Sequence, residues 1–157
     1  MPLISVCIPA YNRARFLPPL LDSILSQDFD DYEILICEDA SPERDAIRTV
    51  LEEYARCFST RIRYVENARN LGYDGNLRSL VTHASGKYCL FMGNDDLMCE
   101  RALAKIGSAL IRHPDVGVLL RSYADFDDTP DRINQEFRYF PDERFFPAGK
   151  DAITTVF

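Results

Sequence analysis

Apolar runs too short for helices alternate with amphipathic segments of helix length along most of this chain, and that alternation constrains its fold more than any other feature. The strand-like runs are Leu3 to Ile8, Glu33 to Cys37, Ile62 to Val65, Tyr88 to Met92 and Val116 to Leu120. Helical patterns over Arg15 to Ser26, Glu43 to Phe58, Tyr73 to Ala84 and Glu100 to Arg112 separate them. Strands joined through helices become parallel neighbours, so the pattern predicts an α/β fold with a mostly parallel central sheet flanked by helices. In the first helix Phe16, Leu17, Leu20, Leu21, Ile24 and Leu25 share a face, and Pro18-Pro19 fits only in the opening turn. Ser41-Pro42 reads as the N-cap and first residue of the second helix.

A chain of 157 residues, 46% hydrophobic, is of a size that buries one core. The regular alternation gives way near Ser122 to an irregular stretch of Asp, Arg, Pro and Phe that soon stops at Phe157. We therefore expect residues 1–122 to form the ordered α/β region and 123–157 to begin a second, incomplete one. Net charge is −7, from 18 basic and 25 acidic side chains, without a Lys/Arg cluster able to follow a phosphate backbone, so nucleic acid is not an expected partner. The chain enters a strand at once and has no apolar stretch of membrane-spanning length, which makes the cytoplasm the expected location. Cys7, Cys37, Cys57, Cys89 and Cys99 stand singly, without the C-x-x-C spacing of zinc or redox motifs. Cys7, Cys37 and Cys89 fall in strands and are expected to be small apolar fillers.

In an open parallel sheet, ligands collect outside the carboxyl ends of the strands. The loops Pro9 to Arg13, Glu38 to Ser41 and Gly93 to Asp96 should share that rim. Adjacent carboxylates such as Asp95 and Asp96 repel unless a cation or hydrogen bonds neutralise them. A hard divalent ion, Mg²⁺ or Mn²⁺, would do so and keep positions for a diphosphate. The same residues also read as a loop start and helix cap before Glu100 to Arg112. Asp39 is either an acid at the positive end of a helix or an acceptor for the N–H of a nucleobase. Tyr11 offers a stacking face or simple packing, and Asn76 and Arg78 fit a solvated helix face as well as a nucleotide contact.

Together these stretches resemble the family 2 glycosyltransferases of the GT-A fold. Ser5 to Arg13 is similar to that family's opening strand and P-x-Y-N loop, and Glu33 to Ser41 to its second strand with paired acids. Asn70-Leu71-Gly72 resembles its N-x-G step, and Ala84-Ser85-Gly86-Lys87-Tyr88 its A-x-G-E-Y entry to the metal-binding strand. The resemblance runs from residue 3 to about 122 and implies a Rossmann-like GT-A nucleotide-binding fold. It implies that Pro9, Ala10 and Tyr11 shape a base pocket, that Asp39 reads the base, and that Asn94 lies beside the ribose. Asp95 falls on the metal-binding position, with Asp96 as second choice. This sequence departs from the family where D-x-D-D becomes Gly93-Asn94-Asp95-Asp96, and where Glu38 and Ala40 replace the commoner Asp and Gly.

The resemblance further implies a nucleotide-diphosphate sugar donor, a divalent metal (Mn²⁺ or Mg²⁺) and a glycan or lipid-linked acceptor. It favours inverting transfer in the making of polysaccharide or lipopolysaccharide. It allows action at the inner face of the membrane, with peripheral association through chain beyond Phe157. An inverting transfer also needs a general base, typically a carboxylate, which the resemblance puts downstream. Asp125, Asp127 and Asp128 lie in a charged loop and are left unassigned. Three other readings stand beside this one. A non-catalytic nucleotide-sugar-binding domain, or a truncated half of an enzyme, shares every donor-side feature. A Mg²⁺-binding receiver module would want its acidic pair after the first strand, and a nucleotidylyltransferase a Gly-rich basic loop there. Pro9-Ala10-Tyr11-Asn12 is neither.

Overall fold

Strands covered on both faces read as unbroken apolar runs, and the two most apolar runs of this chain become its central strands. A computed structural model describes residues 1–127, 132–138 and 140–147, in two compact units, Met1–Arg112 and His113–Phe157. In the first unit the order is β1 (Ile4–Ala10), α1 (Leu17–Leu25), β2 (Tyr32–Glu38), α2 (Arg44–Phe58), β3 (Ile62–Glu66), α3 (Gly72–His83), β4 (Tyr88–Phe91) and α4 (Ala102–Arg112). The sheet order is β3-β2-β1-β4 and all three pairings are parallel. The architecture is the expected one: a parallel central sheet with flanking helices.

Side chains alternate across a strand. Cys7 of β1 with Leu35 and Cys37 of β2 forms one face, packed with Leu80 of α3, and Val65, Leu77 and Ala84 border that cluster. Ile4, Val6, Ile8, Ile34 and Ile36, of the opposite parity, are equally buried. Leu17, Leu20, Leu21 and Ile24 are the buried stripe of α1, at the i, i+3, i+4, i+7 spacing, and its prolines do fall in the opening turn. Because the chain builds outward from β1 to β3 and then returns to the other side of β1 for β4, the switch point of the topology lies between β1 and β4.

Four local expectations are corrected. Val116 to Leu120 does not form a strand, and Val118 and Leu120 are exposed. An apolar run becomes a strand only where a sheet edge accepts its backbone groups, and among the described residues none pairs with this one. The second unit instead holds an antiparallel pair, β5 (Tyr123–Phe126) and β6 (Ile133–Phe137), with the rings of Tyr123 and Phe137 stacked at 4.5 Å. Cys89 is exposed, because β4 is an edge strand, while Cys7 and Cys37 are buried as expected. Finally, α2 starts at Arg44, and Ser41 is no side-chain cap. The turn is built around Glu38, whose carboxylate accepts the N–H groups of Ala40 and Ser41 and the Arg44 guanidinium. Likewise α4 starts at Ala102, so Asp95 and Asp96 do not cap it. No helix among the described residues is long and apolar enough to cross a membrane.

Candidate functional site

Since all strands of the sheet are parallel, the loops after β1, β2 and β4 leave from one rim, and there they surround a cavity of about 620 Å³. Its walls include Pro9 at the end of β1, Tyr11, Asn12 and Arg13 from the loop after it, Asp39 from the loop after β2, and Gly93, Asn94 and Asp95 from the loop after β4. Asn70, Gly72, Tyr73 and Asn76, at and inside the start of α3, line it too. Of the residues expected at the site, Pro9, Tyr11, Asp39, Asn94 and Asp95 are thus brought together. Ala10 is fully buried, and it contributes from beneath by accepting the Asp39 N–H at 3.0 Å. Asp96 is off the cavity wall, its Oδ2 accepting the Gly93 N–H at 2.9 Å.

Each polar group at the rim has a traceable hold. Asp39 is only 3% exposed, and its Oδ1 accepts from Asn67 Nδ2 at 2.8 Å and from the Leu71 N–H at 2.9 Å. Oδ2 shares just that Leu71 N–H, at 3.1 Å, and is the oxygen with capacity left for a ligand N–H. Asn67 is itself fixed: its Nδ2 also donates to Asn76 Oδ1 at 3.1 Å, and its Oδ1 accepts from Ser79 Oγ at 2.9 Å. Asn76 Nδ2 closes the chain on the Cys37 carbonyl at 3.0 Å. Satisfied buried networks of this kind hold one geometry, here that of the Asp39 carboxylate. Tyr11 is 45% exposed, so its ring faces the cavity with area to offer.

The two loops closest to the site carry unfavourable backbone. Among the described residues four non-glycines have positive φ, and three of them, Asn12 (55°), Arg13 (63°) and Ala40 (55°), lie here. A left-handed residue with a Cβ costs on the order of 1–2 kcal/mol, least for Asn. The φ of Ala40 also explains why glycine suits that position. Asn12 carries a further penalty, since its Oδ1 is buried without a partner while its carbonyl accepts from Asn94 Nδ2 at 3.0 Å. Strain of this sort gathers at functional loops.

The acidic corner is organised by Gly93. A Cβ there would meet Asp96 Oδ2 at 2.9 Å and Asp95 Oδ1 at 3.3 Å, so both carboxylates lie over this residue. The glycine standing where the family pattern has its first acid is therefore fitted to the turn, since a side chain would push Asp96 off the Gly93 N–H. Asp95 is held otherwise, its Oδ2 accepting from the Arg13 guanidinium. Among the described residues no group of three or more His, Cys, Asp or Glu is arranged to hold a metal ion. Of the two carboxylates over Gly93, that of Asp95 borders the cavity and is of the oxygen type that a hard divalent ion takes, while Asp96 is turned back on Gly93.

Sequence reasoning passed over Asn67 and left Asn76 undecided, though both are buried in the network behind Asp39. The signal was available for Asn67: it directly follows β3, on the same rim as the other loops. Asp125 and Asp127 belong to the second unit, and Asp128 lies outside the described residues.

Solved structures share this architecture. Staphylococcus aureus TarS 1–349, in complex with UDP-GlcNAc, matches with a TM-score of 0.60 at 25% identity, over 72% of this chain and 32% of that one. The mannosyltransferase PcManGT from Pyrobaculum calidifontis, in complex with GDP-Man and Mn²⁺, matches with a TM-score of 0.65 at 24% identity, over 74% and 34%. The fold and its rim thus define the GT-A class. Residues 5–156 match the model of glycosyl transferase family 2, and the chain belongs to that family. Among its relatives, the abequosyltransferase RfbV of Salmonella typhimurium is 34% identical over 114 residues, 73% of this chain and 34% of that protein. The GalNAc(5)-diNAcBac-PP-undecaprenol beta-1,3-glucosyltransferase of Campylobacter jejuni is 33% identical over 107 residues, 68% and 34%. The chain spans about a third of the length of these relatives.

Proposed function

We propose that residues 1–122 form the donor half of a glycosyltransferase, binding a nucleotide-diphosphate sugar whose glycosyl group goes to a glycan or lipid-linked acceptor. The observation that carries this reading is the convergence of Tyr11, Asp39, Asn94 and Asp95 on one cavity at the switch point of a parallel sheet. The donor class is that seen in TarS with UDP-GlcNAc, and the C. jejuni relative is named for a lipid-linked acceptor.

In this reading Tyr11 stacks on the base in a pocket that Pro9 and Ala10 help to shape, and Asp39 Oδ2 accepts a base N–H while Asn67 and Leu71 keep the carboxylate in place. Asn94 lies beside the ribose. Asp95, seconded by Asp96, would hold Mn²⁺ or Mg²⁺, and such an ion when bound supplies a Lewis acid to the departing diphosphate. The transfer is an inverting one, and no carboxylate among the described residues is assigned as its base. Residues 123–157 belong to the acceptor side. We place the reaction in the cytoplasm, at the inner face of the membrane when the acceptor is lipid-linked, and in polysaccharide or lipopolysaccharide synthesis.

Calorimetry with UDP, GDP, TDP and CDP, each with and without Mn²⁺, tests the site. One of them should bind with a metal requirement, and Asp95→Ala should weaken it on the order of 100-fold. Absence of binding by all four, or an Asp95→Ala protein indistinguishable from the parent, sinks the reading.

A further inference from the structure

Arg13 carries a charge that the donor site described above does not use. Its backbone is left-handed directly after another left-handed residue, an arrangement disfavoured for a long side chain. Loop contacts hold it there: the Phe16 N–H donates to the Arg13 carbonyl at 3.0 Å, and the neighbouring Ala14 N–H donates to Glu43 Oε2 at 2.9 Å. The result is a guanidinium sent to the acidic corner, 82 residues away in sequence, where it pairs with Asp95. The two side chains are 56% and 39% exposed, and an ion pair so open to water is weak and exchangeable.

Charge makes that exchange meaningful. Among the described residues lining the cavity Arg13 is the sole cation, while Asp39 and Asp95 are anions. A diphosphate entering the free protein therefore meets two carboxylates and one guanidinium that is already engaged. A cation that takes over Asp95 would free that guanidinium beside the cavity, with its forked donors unpaired.

Resting on the donor-site reading, we propose that Arg13 is a diphosphate-binding residue that exchanges Asp95 for the donor's phosphates. In the free protein it neutralises Asp95. When a divalent ion occupies that carboxylate, the guanidinium turns to the diphosphate, whose paired oxygens match its planar fork. The ion alone must displace Arg13 with nothing to receive it, so metal and nucleoside diphosphate favour each other's binding, and by linkage they do so equally.

The test compares the parent, Arg13→Ala and Arg13→Lys, with thermal denaturation to verify folding. Each is titrated with Mn²⁺ alone, with the better bound of UDP and GDP in the presence of Mn²⁺, and with the matching nucleoside by ligand-observed NMR. Arg13→Ala should weaken the diphosphate about 10- to 100-fold, as loss of a charge-assisted hydrogen bond does, while leaving the nucleoside unchanged and tightening Mn²⁺ alone. Arg13→Lys, which keeps a point charge without the fork, should recover part of the loss and remains informative if the alanine variant does not fold. Equal weakening of nucleoside and diphosphate would make Arg13 a prop of the loop and overturn the proposal, as would a diphosphate affinity that does not change. A parent protein that binds no nucleoside diphosphate would instead defeat the donor-site reading itself, and this proposal with it.

Discussion

Glu33, at the amino end of the sheet, and Asp39 and Asp95, at its carboxyl end, are held in opposite ways, although Glu38 at the carboxyl end is as enclosed by donors as Glu33. At the amino end of β2, Glu33 is enclosed by donors: Ser5 Oγ at 2.6 Å, the Ser85 N–H at 2.7 Å and Arg63 Nη1 at 3.0 Å. Ser5 Oγ accepts in turn from the Gly86 N–H at 2.8 Å, and a Cβ on Gly86 would meet the Ser5 backbone N at 2.6 Å. The turn from α3 into β4 is thereby pressed onto β1. Burial pushes the Glu33 carboxyl up, but the hydrogen bonds from Ser5, Ser85 and Arg63 outweigh it and bring it down to about 2. Just past the carboxyl end of β2, Asp39 keeps an underused oxygen toward a cavity, and Asp95 beyond β4 is answered by one exposed arginine. The left-handed residues Asn12, Arg13 and Ala40 belong to this open end. One sheet thus shows what separates a structural acid from a site acid: whether its donors are complete within the chain.

The comparison breaks first at Glu33. Glu33→Ala leaves Ser5, the Ser85 N–H and Arg63 without their acceptor, and should destabilise the protein by about 3 kcal/mol in urea or guanidinium unfolding. Nucleotide affinity should be untouched; a stable variant, or one that loses binding at a temperature where it is folded, would erase the contrast between the ends. The same group sets an acid limit. Because its folded value is depressed from an ordinary 4.5 to about 2, its stabilisation is present above pH 4.5 and is lost as pH falls toward 2. The parent's melting temperature should drop across that interval, and that of Glu33→Gln should drop less.

At the open end, removing a side chain should affect binding and leave stability alone. Tyr11→Ala removes a half-exposed ring, so nucleoside diphosphate affinity should fall about tenfold, the scale of one base–aromatic stack, with no change in melting temperature. A loss of stability without loss of affinity would return Tyr11 to packing. The smallest effect is expected at Ala40. Glycine relieves its left-handed strain but loosens the unfolded chain, so Ala40→Gly should stabilise by about 0.5 kcal/mol. Destabilisation would show that this loop is not strained.

Legibility in the sequence followed the range of the interaction. Short apolar runs and period-3.6 patterns are local, and they were enough for the four strands and four helices of the first unit. The rule that parallel strands share a ligand rim was enough to place Tyr11, Asp39, Asn94 and Asp95 around one cavity. Where a local pattern needed a distant partner it misled. Val116 to Leu120 has the composition of a strand but pairs with none among the described residues, and Cys89 lies in a strand that turned out to be an edge. Ser41 has the character of a cap, but Glu38 captured the turn.

By itself, then, the sequence determined a parallel sheet flanked by helices, its rim, and the family to which that rim belongs. Only the tertiary structure decided which oxygens at the rim are spent and which are open. Asp39 takes its donors from residues 28 and 32 positions away, Asp95 from one 82 positions away, and Asp96 turns back on Gly93. A carboxylate's chemistry is set by the donors that reach it, and donors that arrive through folding leave no periodic trace in the chain.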